Sequence, residues 1–202
     1  NNIWAVGSGG TILKWNGSTW SALGSGVSGN SANVLTLAVS GSDVYAGGRF
    51  TTAGGNPAAS IAKWNGSAWS GLGTGLESDA YAVAVLNNQL VAAGPYSGDP
   101  NGVLTSRVMR WDGSSWSPLG AGMNGDVDDL IVYNGELVAA GYFTNAGGVA
   151  VTNIARWTGS NWIELGASLG QPTSALVDYN GVLVAGGNFR TFTQASSFAS
   201  DY

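Results

Sequence analysis

The chain has 202 residues, 44% hydrophobic and 9% charged, with 33 glycines and nine tryptophans but no histidine and no cysteine. This is enough apolar material for a substantial core, and twelve acids against seven bases, spread without runs, make nucleic acid and anionic membrane poor partners. Lack of cysteine and histidine removes disulfides, thiolate chemistry, the commonest general base and the commonest metal ligand, and no apolar stretch reaches the length of a membrane span.

The phrase Trp-x4-Trp recurs at Trp15/Trp20, Trp64/Trp69, Trp111/Trp116 and Trp157/Trp162, and its first member steps by 49, 47 and 46 residues. Such a period is the length of one propeller blade. Phe50, Tyr96, Phe143 and Phe189 keep the same step, as do Lys14, Lys63, Arg110 and Arg156, so four of the seven bases belong to the repeat and not to a patch.

Each unit divides into four short strands, a to d, with tight turns at a–b and c–d and longer loops at b–c and d–a. Residues 3–23 supply b, c and d of a first unit, with Asn16-Gly17 between c and d. Full units follow at 34–72, 80–119 and 129–165, with Asn65-Gly66, Asp112-Gly113 and Thr158-Gly159 at the same turn. The segment 174–202 supplies a and b at 174–189, joined by Asn180-Gly181, and a tail without the signatures of c and d. No sustained spacing of three and four residues argues for a helix. The predicted fold is all-β, a β-propeller of four-stranded antiparallel blades, three full and two partial, in a single domain over 1–202.

Glycine and tryptophan are then two ends of one wedge. Radial sheets crowd at the centre, where strand b ends in "AGG" or "AAG", and splay at the rim, where the Trp pair fills the gap between blades. Each buried indole needs an acceptor for its N–H.

The segments "ALVDYNGVLVAGGNF" and "IARWTGSNWIELG" resemble kelch repeats and the galactose-oxidase-type propeller over nearly the whole chain. The variant "GGxFTxAGG" with "IAxWxGxxWxxLG" resembles repeats of secreted bacterial surface proteins and fungal cortical-marker ectodomains more closely. The resemblance implies a propeller and an extracellular or cell-surface setting. It transfers no catalytic residue, because the oxidase's cysteine, histidines and copper site have no counterpart.

Binding is expected on the face where the b–c and d–a loops emerge, since loops on a rigid scaffold carry function. The candidates are Arg49, Asn56, Asp99, Asn101, Asn145, Asp126, Asn188 and Arg190, with Glu77 and Asp79 beside them. Phe50, Tyr96, Phe143 and Phe189 read as a hydrophobic plug beneath those loops. Asp126, Asp128 and Asp129 offer oxygens to a calcium ion but lack the full loop pattern. Two G-x-G-x-x-G matches, at 24–29 and 120–125, lead into strands and not into a helix that would hold a pyrophosphate. Asn16-Gly17-Ser18 and Asn65-Gly66-Ser67 match the glycosylation sequon, although the turn alone accounts for them.

Two functional classes follow. The first is a non-catalytic extracellular binding or adhesion module for a glycan or a protein, without cofactor, or a structural spacer of that kind. The second is a glycan-active enzyme working with two carboxylates, which needs no histidine. Against it, no loop acids recur at matched positions, and the only glutamates are Glu77, Glu136 and Glu164. The start at Asn1, without methionine or signal, reads as a processed chain or a piece of one. The unbalanced strand count predicts further blades in a longer chain, or strands contributed by a neighbouring subunit.

Overall fold

Short apolar runs punctuated by Asn, Asp and Gly give strands and turns only. The computed structural model describes residues 3–7, 9–95, 107–166 and 169–188, and no helix occurs among them. The first sheet holds β1 (Ile3–Ala5), β2 (Leu13–Trp15) and β3 (Trp20–Ala22), in that order. A short β4 (Val27–Ser28) leads to β5 (Asn33–Ser40) and β6 (Asp43–Arg49). A small hairpin of β7 (Thr52–Ala53) and β8 (Asn56–Pro57) intervenes before β9 (Ile61–Trp64) and β10 (Trp69–Gly71). The third sheet takes β11 (Ala82–Leu86), β12 (Gln89–Ala93), β13 (Val108–Trp111) and β14 (Trp116–Pro118). The fourth takes β15 (Asp126–Tyr133) and β16 (Glu136–Tyr142), then, across the hairpin β17 (Asn145–Ala146) and β18 (Val149–Ala150), β19 (Ile154–Trp157) and β20 (Trp162–Glu164). A two-stranded sheet of β21 (Thr173–Tyr179) and β22 (Val182–Gly187) completes the series.

Each full sheet runs a-b-c-d in antiparallel order, as β5-β6-β9-β10, β11-β12-β13-β14 and β15-β16-β19-β20. The incomplete sheets are b-c-d at one end and a-b at the other. These are the blades of a β-propeller.

Strand pairing sets the Trp pairs directly opposite one another. Trp15 faces Trp20, Trp64 faces Trp69, Trp111 faces Trp116 and Trp157 faces Trp162, with ring centroids 5.3–5.5 Å apart and planes tilted by 45–56°. The second Trp of each blade reaches back across the blade boundary. Trp69 Nε1 donates to Leu23 O at 2.8 Å, Trp116 Nε1 to Leu72 O at 3.1 Å and Trp162 Nε1 to Leu119 O at 2.9 Å. The glycine after each of those leucines makes room for the first Trp: a Cβ on Gly120 would lie 2.7 Å from the Trp157 ring.

The hydrophobic core lies between sheets. Ala84, Leu86 and Val91 of the third sheet cluster with Leu130, Val132 and Leu137 of the fourth, and Ile131, Tyr133 and Val138 of the fourth with Leu176 and Leu183 of the hairpin. Polar bonds also cross between sheets: Thr36 Oγ1 of the second accepts from Val83 N of the third at 3.2 Å, and Asp129 Oδ2 of the fourth from Leu176 N of the hairpin at 2.6 Å. Strand a carries a register shift between Val34 and Thr36, Val127 and Asp129, and Thr173 and Ala175, which leaves Leu35, Asp128 and Ser174 outside the ladder.

Three expectations change in detail. The b–c segments 51–60 and 144–152 are not open loops, because each folds as a hairpin over strand d. Ala53 and Ala146 are fully buried there, and Gly147, at φ +62°, sits with its missing Cβ 3.1 Å from Trp162 Cβ. Strand a of the fourth blade starts at Asp126 and not at Asp129, which puts the three aspartates in a strand. The c–d turns hold four residues, not two. Asn16 Oδ1 accepts from Ser18 N and Thr19 N, and Asp112 Oδ1 from Ser114 N and Ser115 N. Those amides, with two hydroxyls, hold the Asp112 carboxyl well below the usual carboxylate range. The a–b turns do follow the two-residue pattern, with Asn134 and Gly135 at φ 50° and 79°.

Candidate functional site

Strand a leaves and strand b returns to one end of each sheet, so the b–c and d–a connections share a face and the short turns share the other. On the connection face Arg49 ends β6 and reaches Asp79, just ahead of β11 in the next blade, through Nε at 2.9 Å and Nη2 at 2.6 Å. Hydrogen bonding and charge from Asp79 raise the guanidinium pKa further. The Arg49 side chain is 60% exposed and Asp79 only 17%, so the acid is a fixed anchor and the guanidinium an accessible donor. Arg49, Asp79 and Tyr81 line a cleft of about 600 Å³ with Gly9, Ser31, Ala32, Asn33 and Leu35.

The other candidates do not converge there. Asn56 Nδ2 donates to Trp69 O at 3.4 Å and stitches its hairpin to strand d. Asn145 Oδ1 accepts from Gly148 N, while Asn124 Oδ1 takes the amides of Thr144 and Asn145. Asn188 is exposed, its backbone N–H bonded to Pro172 O at 3.1 Å. Asp99, Asn101 and Arg190 lie outside the described residues, as do Tyr96 and Phe189. Phe50 and Phe143 are buried beneath the connections, as the plug predicted.

The aspartates at the start of β15 take different partners. Asp126 pairs with Arg107, and Asp129 accepts from Leu130 N and Leu176 N. Burial raises the pKa of Asp129 against the pull of those amides; burial, then the charges of Asp126 and Asp129, raises that of Asp128. Among the described residues no group of three or more His, Cys, Asp or Glu side chains is arranged to hold a metal ion.

A second cleft, of about 640 Å³, opens on the rim between the second and third blades. Trp111, Trp116 and Met109 form its floor, and Thr74, Glu77, Ser114 and Ser115 its polar edge. Trp69 and Trp162 are buried at 2% and 1% exposure, whereas Trp116 is only half-buried. The sequence carries the signal for this difference: the "AGG" hairpin of the second and fourth units has no match between Tyr96 and Ser106. Sequence reasoning assigned all the Trp pairs to packing and so passed over this cleft. It passed over Asn33, Leu35 and Tyr81 as well, because only the fold brings three blades' worth of residues to one opening.

The all-β blades, the interblade Trp clasps and the connection face define a β-propeller. A family model described as a domain of unknown function (DUF5122) beta-propeller matches residues 134–158. No curated protein matches the chain. Among solved structures the chain is similar to the computationally designed Ika8 protein, at 18% identity and TM-score 0.61, over 93% of this chain and 52% of that one. It is also similar to U3-55K, at 17% identity and TM-score 0.54, over 80% of this chain and 47% of the other. The chain thus spans about half the length of these two structures.

Proposed function

We propose that the chain is a non-catalytic binding module, displayed at the cell surface or outside the cell, that presents its connection face to a glycan or a protein. The observation that carries this reading is the Arg49–Asp79 cleft, where an exposed guanidinium is held by a largely buried acid beside Tyr81 and Asn33. A fixed planar donor next to an aromatic ring suits hydroxyl-rich or carboxylate-bearing ligands. The half-buried Trp111 and Trp116, edged by Glu77 and hydroxyls, add a surface on which a sugar ring stacks. The placement of the acids favours binding over two-carboxylate hydrolysis, since Asp79, Asp126 and Asp129 are all engaged in structural contacts.

The test is a glycan array probed with the purified chain, followed by incubation of each hit to look for cleavage. Binding that falls at least tenfold in Arg49→Ala, with no cleavage, supports the reading. Turnover of any hit overturns the non-catalytic assignment, and a ligand mapped to Asn65, Asp112 and Asn134 overturns the choice of face.

A further inference from the structure

In the second and fourth blades the b–c hairpin covers the rim and donates one amide to the d–a connection behind it, Gly54 N to Gly26 O at 2.8 Å and Gly147 N to Gly122 O at 2.7 Å. Gly26 and Gly122 each end the phrase Leu-Gly-x-Gly. Gly75 ends the same phrase ahead of the third blade, with the same positive φ, 78°. Gly75 lines the rim cleft, and its carbonyl accepts from no described residue. An acceptor that its two counterparts give to an N–H therefore borders the opening floored by Trp111, Trp116 and Met109.

The rest of the polar edge is rich in acceptors too. The hydroxyls of Ser114 and Ser115 both donate to the Asp112 carboxylate, at 2.9 Å each, which leaves their lone pairs for anything in the cleft. Glu77 forms neither an ion pair nor a side-chain hydrogen bond with a described residue, whereas Asp43, Asp79, Asp126 and Glu136 each hold a base. No lysine or arginine among the described residues lines the cleft, and Arg110, between Met109 and Trp111 on β13, points to the opposite face of its sheet. The cleft thus combines an aromatic floor with a carboxylate that has no countercharge.

From this arrangement we infer that the rim cleft binds an ammonium group carried by an amino sugar. The sugar ring lies on the Trp111–Trp116 floor, its ammonium sits against Glu77, and its hydroxyls donate to Gly75 O and to the hydroxyl oxygens of Ser114 and Ser115. A cation close to an indole face gains from the ring quadrupole as well as from the carboxylate. A pyranose supplies both the flat apolar face and the row of donors that this edge accepts, and a lysine side chain supplies only the charge. The inference rests on the sugar-stacking reading of this cleft given above and adds the charge of the ligand.

Titration calorimetry of the purified chain tests this, with the glucosamine trisaccharide and its N-acetylated counterpart at mildly acidic pH, where the amines are charged. The amine form should bind about tenfold more tightly or better. Glu77→Gln, at an exposed side chain, should remove that advantage and leave the affinity for the N-acetylated form unchanged. Glu164→Gln removes an exposed charge on β20 of the next blade and should change neither. Equal affinity for the two trisaccharides, an equal loss in Glu77→Gln and Glu164→Gln, or trilysine binding as tightly as the amine trisaccharide would each overturn the inference. Failure of both trisaccharides to bind would overturn it as well, while glycan-array hits that depend on Arg49 would still uphold the binding module.

Discussion

Trp162 donates its indole N–H to the main-chain oxygen of Leu119, 2.9 Å away in the preceding blade, while its ring stays 1% exposed. Packing and a buried hydrogen bond meet in this side chain, and substitutions separate them. Trp162→Phe keeps most of the volume but orphans the Leu119 carbonyl, and should cost about 1–3 kcal/mol. Trp162→Ala also opens a cavity and should cost about 3–5 kcal/mol. Urea denaturation midpoints check both: a wild-type midpoint for Trp162→Phe would mean that the bond contributes nothing, and equal midpoints for the two variants that the cavity adds nothing.

Gly147 and Gly148 separate strain from contact. Both have positive φ, +62° and +86°, but a Cβ on Gly147 meets Trp162 whereas one on Gly148 meets nothing within 4 Å. Gly148→Ala should cost only the backbone term, about 1 kcal/mol. Gly147→Ala should cost more, and its excess should shrink in a Trp162→Gly background, which removes the Cβ atom 3.1 Å away. A double-mutant cycle measures that coupling.

Asp128 gives a pH dependence with a definite sign. Burial and the neighbouring carboxylates raise its folded pKa above the ordinary aspartate value, so its stabilising effect is fullest in acid and is lost as pH rises through the folded value. Asp128→Asn should therefore raise the melting temperature at pH 7, and the gain should fade below about pH 3.8. A gain that persists unchanged at pH 3 would assign it to something other than ionisation.

The strand order was legible because short turns built on Asn, Asp and Gly, alternating strands and the Trp pair recur together in the full units. The clasp acceptors were not. Nothing in "WxxLG" says that the leucine carbonyl, rather than a Ser or Asn side chain, receives the next indole, since that bond spans 43–46 residues across a blade boundary. The hairpins were missed because "TTAGGNPA" reads as glycine-rich loop until Ala53 is seen buried against Val27, and the c–d turns because Asn-Gly fits two turn types. The Arg49–Asp79 pair joins residues thirty apart in different blades, beyond the reach of any local pattern.

Asn124 joins a d–a segment to the following b–c hairpin through its carbonyl oxygen and through Nδ2 to Thr144 Oγ1 at 2.9 Å. Asn124→Ala should speed amide hydrogen exchange at Thr144 and Asn145 while leaving β15 and β16 protected. Exchange that rises across the whole fourth blade would mean that the hairpin is part of the blade's cooperative unit.

A bulge in β5, β15 and β21 places one residue of each outside the hydrogen-bond ladder, and the occupants differ completely: a leucine at 35, an acid at 128, a hydroxyl at 174. Ladder and clasp make no demand on these side chains, and Leu35 already borders the Arg49 cleft. The repeat therefore separates what must stay constant from what is free to vary. A lineage could rewrite the chemistry at these positions, one letter per bulge, without renegotiating the fold.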